Sequence, residues 1–151
     1  MKNNKLVASL GLLDAREIAD FRLYLQSPLF NARPSLMRLL DVLVSEFMEG
    51  EGAADQLEIY RRSFPDKAFK EASLKSSMSA LLRLLRDFLA FDHLRRDPVA
   101  QNHAFLTQLN QKGETKYFPA YHKAALRELD QAQLIAADHF EAQRHLAEEK
   151  Y

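Results

Sequence analysis

Apolar residues recur every three or four positions along almost the whole chain, and its glycines and prolines fall between these runs or at their edges. That period belongs to helices packed on one face, so the pattern predicts a succession of helices and no sheet. Asn4 to Leu10 read as a short helix closed by Gly11 in the left-handed conformation that suits glycine after a helix. Asp14 and Glu17 have capping-box spacing, and Ile18, Phe21 and Leu25 carry the next helix to Ser27-Pro28, where proline disfavours helical backbone at the residue before it. Another helix is expected to begin near Pro34-Ser35, run through Leu36, Leu39, Leu40, Leu43 and Phe47, and end at Gly50 and Gly52. A short helix from about Ala54 follows, with Leu57, Tyr60 and Phe64 on one face and a stop at Pro65. Its acids come early and Arg61 and Arg62 come late, as the helix dipole prefers.

The longest regular run extends from about Ser73 to Arg96. Its apolar positions, from Leu74 to Phe91, cover about half the circumference, wider than the ~100° stripe of a one-sided helix. This predicts a central helix covered on two sides. Asp97-Pro98 caps a further helix, with Val99, Phe105, Leu106 and Leu109 as its expected buried set and Gly113 as its end. From Tyr117 onward one stripe (Phe118, Tyr121, Ala125, Leu129, Ala132, Ala136, Phe140) allows a single long helix. Leu134 and Ile135 lie off that stripe and would equally suit two antiparallel helices. The pattern reaches the last residue without a C-cap, from which we expect a chain that continues in something longer.

Composition strengthens the helical reading. Among 151 residues, Leu and Ala supply 45, while Val, Ile and Thr, the β-branched residues that sheets favour, supply nine. The expectation is an all-α domain over 1–151 with five to seven helices, in an orthogonal or helical-array bundle around residues 73–96. Residues 1–96 would hold a tri-helical core with the amino-terminal helices, and 98–151 a hairpin or long helix. The absence of cysteine excludes disulfides, thiolate metal sites and a cysteine nucleophile. The apolar run Leu6 to Leu13 is broken by Ser9 and Gly11 and has no cleavage site beyond it, so it is a poor signal peptide. No segment approaches the ~18 apolar residues that span a bilayer, and a cytoplasmic location without a membrane partner is expected.

The motifs of catalysis are missing. There is no glycine-rich phosphate loop, no G-x-S-x-G elbow and no H-E-x-x-H. The five histidines are dispersed, and Glu141 with His145, one helical turn apart, make an ordinary surface pair rather than the doubled Glu-x-x-His of a di-iron bundle. Neither catalytic residues, nor a metal, nor a cofactor is assigned.

The equality of 21 basic and 21 acidic residues conceals a local reversal. Six acids and no base lie between Leu40 and Tyr60, whereas Arg61 to Lys75 holds five bases and two acids. The three helices from Pro34 to Arg96 also follow the order of a helix-turn-helix core. Lys67, Lys70, Lys75, Ser79, Arg83 and Arg86 are the candidate contacts to nucleic acid or another anion. Against this, reading helices present Arg, Asn or Gln to base edges where this one presents serines, and the Pro65 to Ala72 loop exceeds the usual turn. The aromatic residues read as core, except that Phe30 and Tyr117 fit either loop anchors or partner contacts.

The series Leu13-Asp14-x-Arg16-Glu17, Phe21, Leu25-x-Ser27-Pro28-x-x-Asn31, Phe64-Pro65 and Leu74-x-x-x-Met78-Ser79-x-Leu81 to Phe88-Leu89 resembles the beginning of a group of longer, uncharacterised bacterial all-helical proteins. Their later parts are similar to tetratricopeptide-like hairpins. The resemblance covers residues 10 to 95, implies an all-helical scaffold and implies no activity. The functional expectation is a non-catalytic helical module that recognises a protein segment, with the helix-turn-helix nucleic-acid module as the alternative.

Overall fold

The computed structural model describes residues 4–148, and side-chain surroundings from residue 4 to 137. The fold is all-α. The described residues form seven helices: α1 (Lys5–Leu10), α2 (Ala15–Gln26), α3 (Ser35–Phe47), α4 (Gln56–Ser63), α5 (Glu71–Arg96), α6 (Pro98–Gln111) and α7 (Phe118–Glu148). Chain contacts divide them into two compact units, and the division falls inside α5 between Ala90 and Phe91.

Helix ends in the first unit follow from local chemistry. The Asn4 side chain accepts a hydrogen bond from the Leu6 amide and opens α1. Asp14 and Glu17 form the reciprocal capping box at α2: the Glu17 amide donates to Asp14 at 2.8 Å and the Asp14 amide donates to Glu17 at 2.9 Å. Asp55 caps α4 through the Glu58 amide at 2.8 Å. Gly11 departs from expectation, because its φ of −66° is right-handed and its amide bonds to Val7 within an ordinary turn. The chain turns sharply instead at Gly52, where φ is +67° and the amide returns to the Glu46 carbonyl at 2.9 Å.

The hub of this unit is α3, a correction to the expected centre at residues 73–96. It buries Leu36, Leu39, Leu40, Val42, Leu43 and Val44, and α1, α2 and α4 all come against it. At about 100° per residue those six side chains occupy an arc of about 200°. The buried positions of α5 (Leu74, Ser77, Met78, Leu81, Leu85, Phe88 and Asp92) keep to one arc of about 100°, while Leu89 is exposed. Helix α5 therefore closes one side of the core. Its Phe88 ring meets Phe21 at 5.2 Å and Tyr24 at 5.6 Å between centroids. On α4 the core positions are Ile59, Tyr60 and Ser63, with Phe64 just beyond, whereas Leu57 is half-buried.

The α2–α3 connection is held by Asn31, which is buried. Its Nδ2 donates to the Leu25 carbonyl at 2.9 Å, and its Oδ1 accepts from the Arg33 amide at 2.9 Å. Arg33 in turn donates to Ser77 Oγ of α5 at 3.0 Å. Phe30 stacks on Tyr24 at 4.3 Å and so anchors this loop.

In the second unit α6 packs on α7, and α7 is one continuous helix, which decides between the one-helix and two-helix readings. Asp97 caps α6 through the Ala100 amide at 3.0 Å. No residue of α6 is buried, contrary to the set expected there: Leu106 and Leu109 are half-buried, and Val99 and Phe105 are exposed. Two helices packed along one mutual face leave the apolar side chains off that face part-exposed. Leu134 and Ile135 on α7 are exposed as well, and Phe140 lies beyond the residues whose side chains are described.

Candidate functional site

In the first unit a groove of about 450 Å³ runs beside α5. Its floor is Leu6 of α1 with Leu74, Met78 and Leu82 of α5, and its rim is Asn4, Lys5, Gln56, Lys75 and Ser79. Both ionisable side chains in this lining are lysines. Leu74, Met78 and Leu82 follow one another at four-residue spacing, which aligns them as a ridge about 12 Å long at 1.5 Å per residue. Lys75, Ser79 and Arg83 form the adjoining ridge, one residue on, with the small Ser79 as a notch between two long basic side chains. Arg86 lies on the same exposed side of α5.

The electrostatics of this strip are simple. Lys75 pairs with Glu71 one turn earlier at 2.7 Å, and its hydrogen bond and charge hold the Glu71 carboxyl below its ordinary pKa. Arg83 and Arg86 make no ion pair among the described residues. Glu71 and Asp55 stand near the groove without lining it. Exposed pairs such as Lys75–Glu71 contribute little to stability, so Lys75 is readily given to another partner.

The six residues expected to contact nucleic acid or an anion are therefore partly assembled. Lys75, Ser79, Arg83 and Arg86 share one face of α5. Lys67 and Lys70 are exposed in the loop between α4 and α5, and of these Lys67 lines a separate hollow with Arg38 and Asp66. Ser63 borders that hollow too, and its buried hydroxyl has no hydrogen-bond partner among the described residues. Arg62 is committed elsewhere: it donates to Glu46 at 3.0 Å across the α3–α4 contact. The Glu46 carboxyl, which also accepts from the Ala54 amide at 2.9 Å, is held below its ordinary pKa by that amide first and then by Arg62.

Sequence reasoning missed the α1 and α4 side of the groove. Asn4, Lys5 and Gln56 lie far from Lys75 in the chain and carry no motif, so only the packing of α1 and α4 places them beside α5. In the second unit a shallow hollow gathers His103 and His122, with Phe118 stacked on His122 at 6.0 Å. Among the described residues no three His, Asp or Glu side chains come together as a metal site, and no helix is long and apolar enough to cross a membrane. Glu141 and His145 lie beyond the described side chains. Tyr117 is exposed, with Lys116 Nζ 5.0 Å from its ring centre. No protein-family model, curated protein or solved structure matches the chain.

Proposed function

We propose that the protein is a non-catalytic helical interaction module that holds a segment of another protein in the groove beside α5. The observation that carries this reading is an apolar floor on three successive turns of one helix, bordered by hydrogen-bonding and charged side chains. An amphipathic helix requires that combination: a trough for its apolar stripe and a polar edge to fix its register. The resemblance to the beginnings of longer helical proteins adds the proposal that the module is one part of a scaffold.

A photo-cross-linking amino acid at Ser79 tests the reading, with Glu49, which is exposed and does not line the groove, as the control position. A defined protein captured from Ser79 and not from Glu49, and bound again when purified, is the expected result. A purified partner that binds equally well after Ser79→Trp fills the notch would overturn it.

The shared basic face of α5 supports a second reading, in which Lys75, Arg83 and Arg86, helped by Lys67 and Lys70, meet nucleic-acid phosphates. Neutralising phosphates releases counterions, so such binding weakens steeply with salt. Fluorescence polarisation with mixed-sequence duplex DNA and single-stranded RNA decides this. Absence of binding at low ionic strength removes the second reading and leaves the first.

A further inference from the structure

We infer that the occupant of the α5 groove is an acidic amphipathic helix of about two to three turns, its apolar residues on the Leu74–Met78–Leu82 ridge and its carboxylates beside Lys5, Lys75 and Arg83. This deepens the interaction reading proposed above and rests on it.

The geometry of the ridge sets the length of the partner helix. A ridge about 12 Å long, a little over two turns of α5, accepts a helix segment of about two to three turns when ridges pack into grooves, with the axes about 8–10 Å apart. Side chains of Leu, Ile, Phe or Met at four-residue spacing on the partner match the spacing of the floor. Met78 gives that floor an adaptable, unbranched side chain. Ser79 supplies the clearance, because between Lys75 and Arg83 it is the one short side chain on the row that an incoming backbone would cross.

Charge supports the acidic character. Lysines are the ionisable residues that line the groove, Arg83 and Arg86 extend the same sign along α5, and both arginines lack an intramolecular ion pair among the described residues. Glu71, the acid in closest register, is already taken up by Lys75. A basic segment would bring like charges together at both edges, which costs specificity and slows encounter. An acidic segment gains at both edges and exchanges one exposed pair, Lys75 with Glu71, for another.

The test uses the full chain and three labelled synthetic peptides of about 16 residues, helical and identical in their apolar stripe. Their polar positions are filled with Glu, Gln or Lys respectively. Fluorescence anisotropy at low and near-physiological salt reads the affinities, and circular dichroism confirms that each protein variant is folded. The Glu peptide should bind at least about tenfold more tightly than the Lys peptide, with the advantage shrinking as salt rises. Ser79→Trp should weaken it by about tenfold or more, and Lys75→Glu with Arg83→Glu should reverse the preference between Glu and Lys peptides.

Equal binding of the three peptides, all weakened by Ser79→Trp, overturns the acidic partner while the groove reading stands. Binding of the Glu peptide that survives Ser79→Trp overturns both. A dimer of the chain alone that Ser79→Trp dissolves places a second copy in the groove and overturns the acidic helix as occupant.

Discussion

Two side chains near the α3–α4 contact show how burial and pairing decide what a residue contributes. Ser63 ends α4 in the core with its hydroxyl unpaired, so it bears the desolvation of a polar group without the compensating bond. Ser63→Ala removes that liability and improves helix propensity, and a stabilisation of up to about 1 kcal/mol is expected in urea unfolding. A clear loss of stability would mean that the hydroxyl is paired in solution. Glu46 is the opposite case, with Ala54 and Arg62 both donating to its carboxylate. Its folded pKa is lowered, so its contribution is present above the unfolded glutamate value of about 4.3 and is lost as pH falls through the lower folded value. Glu46→Gln should lower stability at neutral pH and reduce the loss on going to about pH 3, measured by urea midpoints at the two pH values. A variant with the same acid sensitivity as the parent contradicts this assignment.

At the scale of elements, most boundaries were legible because each rests on contacts between residues a few positions apart. Asp14 and Glu17 announce α2, Asp97-Pro98 announces α6, and both caps form as their spacing requires. Asp14→Ala removes an acceptor from the Glu17 amide and should cost about 1 kcal/mol, read as a fall in the thermal midpoint with the helical spectrum preserved below it. An unchanged midpoint would show that the cap is redundant. What periodicity could not rank was the helices themselves. The apolar positions of α5 cover a wider arc than it buries, because Leu82 and Leu84 are half-buried and Leu89 and Phe91 are exposed. In α3 the added burial of Val42 and Val44 makes a helix enclosed over most of its circumference. Which of two apolar helices becomes the hub depends on what packs against each, and that is a tertiary property. The same reason explains α6, which packs on α7 yet keeps its four apolar positions half-buried or exposed.

Across the whole molecule, the two units differ in how much apolar surface they remove from water. The first encloses a continuous core from Leu6 to Phe88 around α3, whereas α6 encloses no side chain and α7 exposes Leu126, Leu134 and Ile135. Burial of a large apolar side chain contributes about 1.5–3 kcal/mol, so opening should be far easier in α6 and α7 than in α3. Native-state hydrogen exchange is expected to show α3 amides exchanging near the global unfolding limit and α6–α7 amides exchanging at lower free energy. Equal protection in both units would contradict this division.

The candidate site was half legible. Lys75, Ser79, Arg83 and Arg86 stand out by their spacing on one helix, but a charged face alone does not distinguish a phosphate-binding surface from the edge of a groove. Leu6, Lys5 and Gln56, which complete the lining of the groove, reach it only through folding. The central claim is that this groove is where a protein segment binds. Amide chemical shifts of the isotope-labelled chain, followed while the Glu-rich amphipathic peptide is added, test it most directly. The prediction is a contiguous set of saturable shifts at Lys5, Leu6, Gln56 and Leu74 to Arg83, absent in Ser79→Trp. Shifts that leave those positions unmoved, or that gather on Lys67 and Arg38 or on the α6–α7 hairpin, would contradict it.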